Sequence, residues 1–215
     1  MSKPASSAPL LVGIAGGTGS GKSEFAASLL EALQPHATLI SQDWYYRDRA
    51  GVSPEAALKL NFDHPAAIDN ALLRKHLLKL KARQEIHTPR YDYASHRRLA
   101  ATVTVTHSPI ILLEGILILH DARLRSLFDL SVFIDVPADV RLMRRIHRDV
   151  NARGIPVDET LRLYEVFARP MHERFVQPSA CHATLVWSQL TDRRFPERLK
   201  SHLKQLLPKQ IRKPA

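Results

Sequence analysis

Cysteine is almost missing from this chain: Cys181 is the single one among 215 residues. That excludes an intramolecular disulfide and a cysteine-rich zinc site, and it suits a reducing compartment. Long hydrophobic runs are missing too. After the polar stretch Met1 to Pro9, the first apolar segment is broken by glycines within a few residues, so neither a signal peptide nor a membrane span is expected. The expected location is the cytoplasm. Internal repeats and low-complexity blocks are also absent, and 45% hydrophobic residues suffice for one substantial core.

Acidic residues are the scarcer charge, with 21 Asp and Glu against 31 Lys and Arg, a net charge of +10. The excess is uneven. From Thr191 to Ala215, eight basic residues (Arg193, Arg194, Arg198, Lys200, Lys204, Lys209, Arg212 and Lys213) face two acids. Such a tail can touch nucleic acid. Phe195 is the single aromatic among them and makes no interleaved platform to stack bases, so a solvated helix face is the simpler reading and nucleic acid is not an expected partner.

Glycine is scarce as well, yet five of the eight glycines lie between positions 13 and 21. There the chain reads Gly16-Gly17-Thr18-Gly19-Ser20-Gly21-Lys22-Ser23, an unbroken G-x-x-x-x-G-K-[ST]. Glycines let the backbone curl and aim N–H groups at phosphate oxygens. Lys22 adds a cation near the β- and γ-phosphates, and the Ser23 hydroxyl is placed to hold Mg²⁺. The flanks agree. Leu10 to Ala15 suits a buried strand, and Phe25, Leu29, Leu30 and Leu33 recur at helical spacing. Strand, loop and helix N-terminus in that order favour a polyphosphate. A dinucleotide fingerprint fails, because Gly17, Gly19 and Gly21 alternate.

Further strands are expected at Ala37 to Ser41, Ile110 to Gly115, Leu130 to Val136 and Ala183 to Trp187. Helices are expected over Ala67 to Arg83, Pro137 to Arg153, Asp158 to Phe175 and Phe195 to Leu207. That alternation implies a parallel sheet covered on both faces. Glu85 to Tyr93 and Leu99 to His107 break it and read as a β-hairpin projecting from the core.

Phosphoryl transfer needs metal ligands, charge neutralisers and a group to orient the attacking oxygen. Glu114 ends a buried strand, where ligands gather in open α/β sheets, and can reach Mg²⁺. Asp43 follows the second strand and is the candidate base. Arg141, Arg145 and Arg148 share one helix face by spacing. Five arginines against one acid, Asp149, within thirteen residues would repel one another unless an anion is nearby. A lid closing over phosphates meets that need; a solvated basic face is the plain alternative.

With these blocks in place, the chain resembles the uridine kinases, or uridine–cytidine kinases, of the P-loop NTPase superfamily. The likeness runs from Leu10 to about Trp187. Beyond the P-loop it rests on Gln42-Asp43-Trp44-Tyr45-Tyr46, Asn61-Phe62-Asp63-His64-Pro65, and Pro89-Arg90-Tyr91-Asp92-Tyr93 with His96. Leu113-Glu114-Gly115-Ile116-Leu117 and Arg144-Arg145-Ile146-His147-Arg148-Asp149 complete it. The resemblance implies an α/β three-layer sandwich with a mainly parallel sheet, a projecting β-hairpin and a helical Arg-rich lid. Its expected division is a disordered tail at 1–9, one kinase domain over 10–207 with the hairpin at 84–108 and lid at 138–156, and a basic tail at 208–215.

It also implies transfer of the ATP γ-phosphate to a pyrimidine ribonucleoside in salvage, with Asp43 taking the proton of the ribose 5′-hydroxyl. Ser23 and Glu114 hold Mg²⁺, Asp63 and Arg145 grip the ribose 2′- and 3′-hydroxyls, and Tyr91, Tyr93 and His96 line the base pocket. Arg148 and Arg153 close on the phosphates, and a homotetramer is suggested. Three positions depart from the family's pattern. Ile155 stands where an arginine is usual and Leu163 where glutamine is common. Val186-Trp187-Ser188-Gln189 replaces a Pro-Arg/His-Gly segment near the ATP base. Two alternatives therefore stand beside a uridine or cytidine kinase: another ribonucleoside or sugar as acceptor, and a nucleotide- or nucleic-acid-binding module without catalysis.

Overall fold

The apolar runs form five parallel strands in a computed structural model that describes residues 8–49, 52, 60–92, 95 and 97–207. They are β1 (Leu10–Gly16), β2 (Ala37–Ser41), β5 (Ile110–Gly115), β6 (Leu130–Asp135) and β7 (Leu185–Ser188), ordered β2-β5-β1-β6-β7. β1 lies centrally, pairing Leu10 with Ile110 on one side and Val12 with Leu130 on the other. Burial on both faces explains why β1, β5 and β6 read as continuous hydrophobic runs, whereas the edge strand β7 is largely exposed.

The helices that cover the sheet are α1 (Lys22–Leu33), α2 (Asn70–Lys81), α3 (Ala122–Arg125), α4 (Ala138–Arg153), α5 (Val157–Leu163) and α6 (Phe195–Leu206). One core, around Ile14, Phe25, Leu29, Leu112 and Val132, is closed by Trp187, Phe195 and Leu203. The other gathers Leu11, Ile40, Tyr45, Leu73, Leu77, Leu113 and Phe133. Two apolar layers about one sheet are what a three-layer α/β arrangement requires.

The hairpin forms from β3 (Ile86–Asp92) and β4 (Arg97–Val105), antiparallel with an irregularity between Pro89 and Arg90. Proline donates no ladder hydrogen bond, which places the irregularity there. Two expectations need correction. The helix over Asp158 to Phe175 is not continuous: after α5 the chain makes π-helical turns at Tyr164–Ala168 and His172–Val176, separated by Arg169–Met171. Pro170 removes a donor from the regular ladder, and wider turns accommodate the loss. The helix expected from Ala67 starts only at Asn70, because the Asp69 carboxylate caps it by accepting from Leu72 N. The chain ends before Leu10 and after Leu207, with Lys209, Arg212 and Lys213, fall largely outside the described residues. No described helix is long and apolar enough to cross a membrane.

Candidate active site

The glycine loop joins β1 to α1 at the carboxyl edge of the sheet. Gly19 and Gly21 hold φ of +76° and +82°, a left-handed conformation that glycine adopts without a Cβ clash. Gly19 has a second reason to be glycine, since a Cβ there would overlap the backbone carbonyl of Arg141 on α4. A Cβ at Gly17 would lie 2.9 Å from both Arg141 Nη1 and His172 Nδ1. α4 thus crosses directly over the loop. Arg141 is buried and donates from Nε to Val136 O at 3.0 Å. Burial, followed by the Arg141 charge, pushes His172 down to about 4, so it stays neutral behind the loop.

Two strand ends converge beside α1. Glu114, at the end of β5, is buried and accepts from Ser23 Oγ at 3.1 Å. Its other oxygen accepts from Ser41 Oγ at the end of β2. Ser41 Oγ accepts in turn from the backbone N–H of Asp43 at 3.3 Å and caps the short 3-10 turn Gln42–Tyr45. The parallel pairing of Ser41 with Glu114 places these groups side by side. Burial, then the neighbouring Glu114 carboxylate, pushes Asp43 up to about 6, against the lowering influence of Lys22. Asp63 also raises it and Arg153 lowers it, so all five groups share one site.

Asp63 is likewise raised, first by burial, while Arg145, Lys22 and Arg148 lower it and Asp149 raises it. Its loop is tied by local contacts. Asn61 Oδ1 accepts from Asp63 N at 3.1 Å, His64 caps Pro65–Ala67, and Phe62 packs edge-on against Tyr46 at 5.4 Å. Tyr91 is buried in the core with its ring 5.3 Å from Tyr46. Burial pushes its hydroxyl up to about 12. Tyr93 and His96 lie outside the described residues.

On α4, Arg145 is buried while Arg148 and Arg153 stay partly open, so a simple solvated basic face is not what forms. Arg148, Arg153 and Arg145 meet the Asp149 carboxylate at 2.8, 3.2 and 3.2 Å. Arg144 instead reaches Gln189, past the end of β7, at 2.6 Å. That pair flanks Gly21.

Four contributors take on roles that a reading of motifs does not assign. Ser41 joins Asp43 to Glu114, and Asp149 gathers arginines. His172 sits behind Gly17. Arg98 of the hairpin donates to Tyr46 O at 2.7 Å and Tyr45 O at 3.1 Å, and meets Asp69 at 3.4 Å, tying β4 to the Asp43 turn. Asp149 alone carried a sequence signal, as the single acid in the arginine run.

The donor set suits a hard divalent cation. Two carboxylates crowd one another at a buried spot, with the Ser23 hydroxyl on one of them. Among the described residues no group of three or more His, Cys, Asp or Glu could hold a metal unaided. Mg²⁺ is such a cation, usually held by one or two protein oxygens together with substrate phosphates and water.

A central β1, the glycine loop behind it and the strand-end acids define a P-loop nucleotide-binding α/β protein. The chain belongs to the Phosphoribulokinase / Uridine kinase family, whose model matches residues 11–195. It is 42% identical over 179 residues to the Uridine kinase of Bacillus cereus (strain G9842), covering 83% of this chain and 84% of that protein. The Uridine kinase of Bacillus subtilis (strain 168) is 43% identical over 179 residues, covering 83% and 85%. A solved phosphoribulokinase from Rhodobacter spheroides shares the fold with a TM-score of 0.58 at 13% identity, over 82% of this chain and 68% of that one.

Proposed function

We propose that this protein transfers the γ-phosphate of ATP to the 5′-hydroxyl of uridine or cytidine. The observation that carries the reading is Asp43, raised to about 6 beside Lys22, Glu114 and Asp63. A carboxylate with that affinity is ionised at neutral pH yet basic enough to accept a proton in the transition state. The relatives named Uridine kinase supply the acceptor class.

In this reading the loop N–H groups and Lys22 cradle the β- and γ-phosphates. Ser23 and Glu114 hold Mg²⁺, which when bound neutralises charge on the phosphate oxygens. Asp63 and Arg145 fix the ribose hydroxyls, and Tyr91 forms a wall of the base pocket, to which the family resemblance adds Tyr93 and His96. Asp43 takes the proton of the 5′-hydroxyl as that oxygen bonds to the γ-phosphorus. The bond from phosphorus to the β,γ-bridging oxygen breaks, and ADP departs with its electron pair. Arg148 and Arg153 neutralise the transferring group. Cytoplasmic salvage by a homotetramer completes the reading; light scattering tests the assembly.

Ile155 bears on the accepted base. Its N–H bonds to Asp149 O at 2.9 Å, which sets an aliphatic side chain just beyond the arginine cluster. The test is a panel of nucleosides and sugars with Mg-ATP, followed by ADP release. Uridine or cytidine should exceed the purine ribonucleosides at least about tenfold, the low end of what pocket fit alone discriminates. Turnover confined to another acceptor would overturn the pyrimidine assignment.

A further inference from the structure

A run of arginines at helical spacing should splay apart, because like charges three and four residues apart destabilise a helix. On α4 they converge. Asp149 is 1% exposed, and its Oδ1 accepts from Arg148 Nε at 2.9 Å and from Arg153 Nη1 at 3.2 Å. Arg148 Nη2 reaches the same oxygen at 2.8 Å, while Arg145 Nε lies 3.2 Å from Oδ2. One carboxylate therefore serves three guanidinium groups.

That ratio is the informative feature. A buried ion pair kept for stability alone needs one cation per anion, since each extra buried charge costs desolvation. Here two positive charges remain in excess. A guanidinium carries five N–H donors, and Asp149 takes only two from Arg148 and one from Arg153. The Arg148 and Arg153 side chains keep 39% and 46% of their surface open, so their remaining donors are accessible. The cluster also faces the reaction site. Arg145, Arg148 and Asp149 act electrostatically on Asp63 together with Lys22, and α4 rests on Gly19.

We propose that Asp149 is a resident stand-in for phosphate, a positioning residue that holds Arg145, Arg148 and Arg153 together until a polyphosphate occupies the free donors of Arg148 and Arg153. It touches no reacting atom and acts through the three arginines. The inference rests on the phosphate-site reading above. Its carboxylate serves two opposed ends. It converges the donors, which favours the transition state, and its charge repels the incoming anion, which weakens ground-state binding.

Those opposed effects separate it from a purely structural acid. Tripolyphosphate binding, measured calorimetrically at fixed salt, should be about tenfold tighter for Asp149→Asn than for the natural chain, the effect of removing one unit charge several ångströms away at intermediate dielectric. With uridine and Mg-ATP the same variant should lose about a hundredfold in kcat while its KM for ATP does not rise. Asp149→Glu retains the charge and should restore tripolyphosphate affinity to near the natural value and recover most of kcat. Weaker tripolyphosphate binding in Asp149→Asn, or unchanged binding and kcat, would overturn the proposal. Should Asp149→Asn fail to fold, recovery of its circular dichroism in millimolar tripolyphosphate supports it, and no recovery overturns it. If the natural chain itself binds no tripolyphosphate, the phosphate-site reading falls together with this one. Absence of uridine turnover alongside tight tripolyphosphate binding removes only the acceptor assignment.

Discussion

β5 and β4 are similar short strands with opposite surroundings. All six residues of Ile110–Gly115 are buried, whereas seven of the nine in Arg97–Val105 are exposed. β5 is held by neighbours on both edges, β2 and β1, with apolar layers above and below. β4 pairs only with β3, and Arg98 anchors it to the Asp43 turn through backbone carbonyls and Asp69. The donor side of the molecule is thus built by apolar packing around a backbone-shaped loop. The acceptor side is assembled by charges and hydrogen bonds. In the function proposed above, rigid positioning of phosphate belongs to the first and recognition of the acceptor to the second.

The largest expected effect comes from the carboxylate where the two sides meet. Asp43→Asn should lower kcat about a thousandfold, within the range of general-base contributions. In the natural enzyme log kcat/KM should fall with unit slope as pH drops below about 6, where Asp43 becomes protonated, and the variant should lack that limb. The sign for stability is opposite. Burial raises the folded pKa, so ionised Asp43 costs the fold above pH 6, and Asp43→Asn should melt higher at pH 8. A lower melting temperature, or a retained acid limb, would show that Asp43 is not the titrating base.

Next in size is the contrast between the strands themselves. Leu112, fully buried at the middle of β5, should cost about 2–5 kcal/mol when changed to Ala, by lost transfer energy plus the cavity left behind. Urea unfolding reads it directly. The smallest effect belongs to Val103 on β4, 46% exposed, where Ala should change stability by about 0.5 kcal/mol or less. A Val103 cost comparable to that of Leu112 would mean that β4 is covered in solution and that the contrast is between a core and an interface.

Much of the donor side was legible from residues alone. β1, the loop and α1 are contiguous, and glycine at 19 and 21 is required by local backbone conformation. The continuous hydrophobic runs marked β1, β5 and β6, because those strands are buried on both faces. The acceptor side was legible only in part. Glu114 and Asp43 could be placed at strand ends, but the Ser41 bridge between them depends on the β2–β5 register. Pro170 was visible in the sequence, yet the helical spacing around it concealed the π turns that interrupt the helix. The arginine run called for an anion, and the anion turned out to include Asp149 from the same helix.

By itself, the sequence determined the phosphate loop, since a short contiguous backbone motif carries its own geometry. Only the tertiary structure decided which acids and arginines face that loop and which charges cancel one another. Those relations join residues far apart in the chain; Ser23 and Glu114 are separated by 91 positions. Strand register and helix packing set them, and no local pattern encodes either.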